Sequence, residues 1–125
     1  MLLANIPNII APGTVMHATI HSAAIPIPNT YGYAVQVGWT GTVNGTFELE
    51  VSCDPFVAGP TAAQLPVNWS IMPDSEQLTG GITTPFTWNF TGLAGYNWVR
   101  LTYLDASGGS ATGSITFAQF NGKGN

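Results

Sequence analysis

Between Tyr31 and Asp54 the chain reads YGYAVQVGWTGTVNGTFELEVSCD, two alternating runs joined by a turn that holds Gly41, Asn44 and Gly45. Tyr33, Val35, Val37 and Trp39 share one parity in the first run, and Phe47, Leu49, Val51 and Cys53 share one in the second. Side chains on a strand change face with every residue, so both apolar sets can point at one core. The pattern predicts a β-hairpin with one apolar face, with Gln36, Glu48 and Glu50 looking outward. A slip of one residue would bury both carboxylates, which fixes the register. Cys53 falls on the buried parity and reads as a small core side chain.

A hairpin alone is marginal in water, so the remaining chain has to supply more strands and a second layer. Gly and Pro, 15 and 9 residues, are spread along the whole length, and no window carries a sustained helical repeat. That punctuation predicts an all-β chain. Thr14–Ser22 reads as a strand, and the prolines at 26 and 28 confine the next segment to an edge or a bend. Val67–Pro73 reads as a short strand and Asp74–Gly81 as a polar turn. In the strand Thr84–Phe90, Phe86, Trp88 and Phe90 face the core. Around 98–103, Val99, Leu101 and Tyr103 face inward and Trp98, Arg100 and Thr102 outward; the last strand is SITFAQFNGKG. About seven strands between Gly-rich turns predict a single-domain antiparallel β-sandwich, jelly-roll-like if the connections cross between sheets.

At 125 residues the chain suits one domain with a core that needs no disulfide staple. Residues 1–13, broken by Pro7 and Pro12, read as an extended apolar arm that packs on a neighbour or the domain flank, and residues 14–125 as the sandwich. The arm has no basic leader and is interrupted by proline, so it resembles neither a signal peptide nor a membrane span. Asp54–Pro66, rich in Pro and Ala, is long enough to project from the surface as a contact element.

Only 6% of residues are charged, against roughly a quarter in ordinary soluble domains. A surface so poor in charge favours association. Arg100 and Lys123 are the whole basic complement, and the net charge is −4. Two cations cannot neutralise a phosphate backbone or an anionic bilayer, which argues against nucleic-acid and membrane partners.

The residues that carry chemistry elsewhere are sparse here. His17 and His21 lie about 13 Å apart on a strand, too far to share a metal ion. Glu48 and Glu50, about 6.6 Å apart, read as solvation and edge protection rather than a glycosidase pair. Asp54, Asp74 and Asp105 sit in loops but lack the clustered spacing of a calcium loop. No nucleophile elbow, Walker loop or zinc motif occurs. The expectation is a non-enzyme without cofactor, metal or catalytic residues. Asn44, Asn68 and Asn89 begin Asn-x-Ser/Thr sequons, read as by-products of a Thr- and Asn-rich composition.

From Tyr31 onward the phrases GYAVQVGWTG, GTFELEVSCD, NW, YNWVRLTY, a Ser/Gly-rich turn and a terminal NGKG follow in that order. This order resembles a recurrent small domain of bacteriophage structural proteins, over roughly three quarters of the chain. The resemblance implies a virion protein that acts by assembly: a capsid, capsid-decoration or spike subunit whose partners are copies of itself, as a trimer or a lattice, and other virion proteins. The implied location is the virion, assembled in the host cytoplasm. The sequence departs from the pattern in its Pro-rich arm and its long 54–66 loop. Ile6, Pro7, Ile9, Ile10, Pro12, Phe56, Val57, Trp98 and Arg100 are the candidate contacts. The alternative is a receptor- or glycan-binding module of a viral spike, with Trp69, Trp88, Trp98 and Tyr96 as an aromatic platform.

Overall fold

The computed structural model describes residues 2–28, 30–91 and 95–124, the first three of these by backbone alone. Two antiparallel sheets pack face to face. One has the order β1 (Leu2–Ile6), β10 (Ser114–Lys123), β4 (Gly32–Thr40), β8 (Phe86–Phe90). The other is built on β9 (Trp98–Asp105) and β5 (Gly45–Ser52). Here β2 (Ile20–His21) and β3 (Ile25–Pro26) share the outer side of β9, while β6 (Ser70–Ile71) and β7 (Gln77–Leu78) share that of β5. Along the chain the segments alternate between sheets, except that β2 continues to β3, and β5 to β6 and β7, within one sheet. That is the winding of a jelly roll.

The inner faces follow the parity of the sequence. Tyr33, Val35, Val37 and Trp39 from β4 meet Phe47, Leu49 and Val51 from β5, all buried, together with Trp88, Val99, Leu101, Tyr103, Ile115 and Phe120. Phe47 stands at the centre, with ring centroids 5.2 Å from Trp39 and 4.9 Å from Tyr103.

The two alternating runs do not, however, pair as a hairpin. β4 bonds to β10 and β8, and β5 to β9, so the Gly41–Asn44 segment crosses from one sheet to the other. An arch of this kind lays the two apolar faces against each other. A hairpin would set them side by side on one face, waiting for a cover. Period-two alternation specifies the face, not the neighbour.

Three further expectations change. Thr14–Ser22 is no continuous strand: Val15 bridges to Ser114 in one sheet and Ile20–His21 pair with Tyr103 and Thr102 in the other, so the segment spans the two layers. Val67–Pro73 contributes only Ser70–Ile71, and the turn Asp74–Gly81 holds β7 and a 3-10 turn at Thr79–Gly81. Among the described residues ten strands, several of only two residues, replace the expected seven. Cys53 is exposed, because β5 ends at Ser52 and the alternation ends with it.

The arm is part of the sandwich. Leu2–Ile6 pair with β10, Ile9 donates its N–H to the Ala118 carbonyl, and Ile9 and Ile10 are buried in the core. Met1 lies outside the described residues.

With so few charges, hydroxyls complete the ladders where strands stop short. Ser75 Oγ accepts from Leu49 N and donates to the Met72 carbonyl. Thr84 Oγ1 accepts from Trp39 N, and Ser22 Oγ from Leu101 N. Backbone groups at a sheet rim need partners as much as those in its middle, and Ser and Thr supply them without charge.

Candidate interaction surface

The outer face of the β5–β9 sheet carries three of the chain's eight charged residues, Glu48, Glu50 and Arg100. Glu50 stands opposite Arg100 on β9, and its Oε1 accepts from Arg100 Nε at 2.7 Å and from Thr102 Oγ1 at 2.6 Å. His21 Nδ1 lies 2.9 Å from Thr102 Oγ1 and 3.7 Å from Glu50 Oε1. Trp69 stacks on the guanidinium, 4.3 Å from ring centroid to Cζ, a cation–π contact. Burial works to raise the Glu50 pKa. The hydrogen bonds from Thr102 and Arg100, with the charges of Arg100 and His21, outweigh it and hold Glu50 below the ordinary carboxylate range. Arg100, expected outward as a candidate contact, thus meets a carboxylate inside its own chain.

Glu48 departs from expectation. It lies on the outward parity, yet it is 2% exposed, and its Oε2 is buried without a partner. Burial first, then the charges of Glu50 and Glu76, raise its pKa.

The 54–66 loop folds back over this face. Trp98 is buried: its Nε1 donates to the Asp54 carbonyl, and Phe56 packs on the indole with centroids 5.7 Å apart. The Asp54 carboxylate ties the two ends of the loop together, accepting from Val67 N at 2.7 Å, Asn68 N at 2.9 Å and Asn68 Nδ2 at 3.0 Å. These bonds lower the Asp54 pKa. Asp105 is likewise engaged, accepting from Ser107 and Gly109. Among the described residues no group of three His, Cys, Asp or Glu side chains is placed to hold a metal ion.

Of the residues singled out in the sequence, Pro7, Pro12, Phe56 and Val57 are exposed and Ile6 is half-buried. Ile9, Ile10 and Trp98 are spent inside the chain, and Arg100 is paired. The aromatic platform does not form: Trp88 and Trp98 are buried, Trp88 Nε1 donates to the Ser75 carbonyl, and Trp69 lies on Arg100.

The structure adds Leu65, Val67, Ile71 and Leu78, which sequence reasoning did not name. Val67 is 81% exposed and Leu78 67%. With Phe56 and Val57 they run along the β6–β7 edge and the loop that leads to it. Val57, Leu65 and Val67 line one cleft of about 360 Å³ with Ala63 and Asn68. For Leu65, Val67 and Ile71 the available signal was the absence of any charged residue from 55 to 73; Leu78, beyond Asp74 and Glu76, had none.

No protein-family profile matches the sequence, and no curated protein does. Among solved structures the chain is similar to the insecticidal delta-endotoxin Cry8Ea1 from Bacillus thuringiensis, with a TM-score of 0.38 and 9% identity. The match covers 86% of this chain and 19% of the toxin chain, and no functional reading follows from it.

Proposed function

We propose that this chain is a bacteriophage virion structural subunit, a capsid, capsid-decoration or spike protein that assembles with copies of itself and with other virion proteins. It acts by association, not catalysis, and its place is the virion, assembled in the host cytoplasm. The observation that carries the reading is the 54–66 loop and the β6–β7 edge that follows it: Phe56, Val57, Leu65, Val67 and Ile71 are exposed in a stretch without charge from residue 55 to 73, and Leu78 is exposed on β7. Contiguous apolar exposure is uncommon on monomers and marks contact surfaces. A second copy is the occupant such a surface suits best, because two faces poor in charge meet with little like-charge repulsion. The order of phrases from Tyr31 onward and the jelly-roll winding support the virion setting.

Light scattering over a concentration series tests this. The wild-type chain should form a closed oligomer or larger assemblies, and the double variant Val67→Asp with Leu78→Asp should remain monomeric with its fold intact. A wild-type chain that is monomeric throughout, or a variant that assembles like it, would overturn the proposal.

A further inference from the structure

The sheet opposite that edge carries a trench along the start of β4. The outward residues there are small: Gly32 and Ala34 form the floor, while the strands on either side carry long polar side chains. Ala34 stands opposite Asn121 on β10 and Asn89 on β8, and Gly32 opposite Lys123. With neighbouring strands about 4.8 Å apart, the two asparagines face each other across roughly 10 Å. Thr91 passes beside Gly32, where a Cβ would lie 3.1 Å from the Phe90 carbonyl oxygen and fill the floor. Gln36, the next outward residue of β4, is engaged elsewhere, its Oε1 accepting from Gln119 Nε2 at 2.8 Å. Tyr31, 41% exposed, stands at one end, its backbone N–H donating to the Lys123 carbonyl. The cavity lined by Tyr31, Gly32, Ala34, Asn89, Asn121 and Lys123 measures about 410 Å³, within the range of small-molecule sites.

The walls are unspent. Asn121 Oδ1 accepts from Asn5, which leaves its N–H donors free, and neither the Asn89 amide nor the Lys123 ammonium bonds to any described residue. Primary amides both donate and accept, and a pair of them suits vicinal hydroxyls, each of which does the same. An exposed phenol ring offers a flat apolar surface with a polar tip. Tyr33 and Phe90 also line the cavity, so the walls are largely apolar and the two facing amides and one ammonium are the polar groups set among them. The site has one cation for a phosphate and no acidic group for a metal. A pyranose matches it, with C–H groups for the ring and a rim of hydroxyls for the amides.

We infer that this trench binds a sugar unit of a glycan, stacked on Tyr31 and hydrogen-bonded between Asn89 and Asn121, with Lys123 on an outer hydroxyl or carboxylate oxygen. The site lies on the sheet away from the apolar edge, so its failure would leave the assembly reading standing.

The test is a two-dimensional amide NMR titration of the full chain with glucose, galactose, mannose, N-acetylglucosamine and N-acetylneuraminic acid, extended to a glycan array. At least one sugar should give saturable shifts at Gly32, Ala34, Asn89, Asn121 and Lys123. Tyr31→Ala should weaken that binding roughly tenfold, and Asn89→Ala by a comparable factor, with core resonances unmoved. No saturable binding by any sugar, shifts centred on Trp69 instead, or affinity unchanged in Tyr31→Ala would each overturn the inference.

Discussion

Gly41 crosses Gly113 where the chain passes from one sheet to the other, and a Cβ on Gly41 would lie 2.7 Å from the Gly113 Cα. Gly41 also has φ +88°, a backbone conformation that disfavours side chains. The Thr42 carbonyl accepts from Thr112 N and Gly113 N, so neither limb can step aside without breaking bonds. Gly41→Ala should therefore cost about 2–4 kcal/mol, combining a left-handed residue with overpacking. A thermal melt should show a fall in Tm on the order of 10 °C. Gly80→Ala, where nothing lies within 4 Å and φ is not positive, should change it little.

The Arg100–Glu50 pair is largely withdrawn from water, with side chains 19% and 15% exposed. Removing one partner strands the other, so Glu50→Ala should destabilise by about 2–4 kcal/mol in urea unfolding. Replacing both with Leu should cost less than the sum of the single changes, because no charge is left unpaired. The pH dependence has a definite sign. A carboxylate held below its unfolded pKa stabilises above the unfolded value, and that contribution fades as the pH falls through the depressed folded value.

Which residues face inward was legible because alternation is a local property. Val35, Val37, Phe47, Leu49, Val99 and Leu101 all lie where their parity puts them. Which strand each run pairs with was not, since a four-residue link such as Gly41–Asn44 serves a hairpin or an arch equally. Glu48 shows the same limit: its outward parity is correct, but burial depends on what other segments lay over that face. Cys53 failed for a simpler reason, the strand having ended one residue earlier. The trench was half visible, as the small outward residues Gly32 and Ala34, but its walls come from β8 and β10, more than fifty residues away in the chain.

The Asp54 carboxylate is the clasp of the 54–68 loop, and among the described residues it is what Val67 N and Asn68 N bond to. Asp54→Ala should free both amides, seen as faster hydrogen exchange at Val67 and Asn68 and as proteolytic cleavage within the loop, while the sheets stay protected. Asn68 and Val67 lower the Asp54 pKa. The clasp should thus persist through mild acidification and open only as the pH drops through that lowered value, taking the cover of Trp98 with it.

Glu48 should respond to pH in the opposite direction from Glu50, two residues away on the same strand. Its Oε2 has no partner, and burial with the charges of Glu50 and Glu76 raises its pKa. The folded chain then binds the proton more tightly than the unfolded chain, so stability falls as the pH rises from the unfolded value through the raised folded value. Above that window the full penalty of a buried, partnerless carboxylate applies. Glu48→Gln keeps the shape and removes the charge, and should stabilise the protein at neutral pH by about 1 kcal/mol. Below the ordinary carboxylate range, where Glu48 is protonated in both states, wild type and variant should unfold together. Urea unfolding of both proteins from about pH 3 to pH 8 measures the difference directly. A gain that stays constant with pH would show that Glu48 carries no charge penalty in the fold.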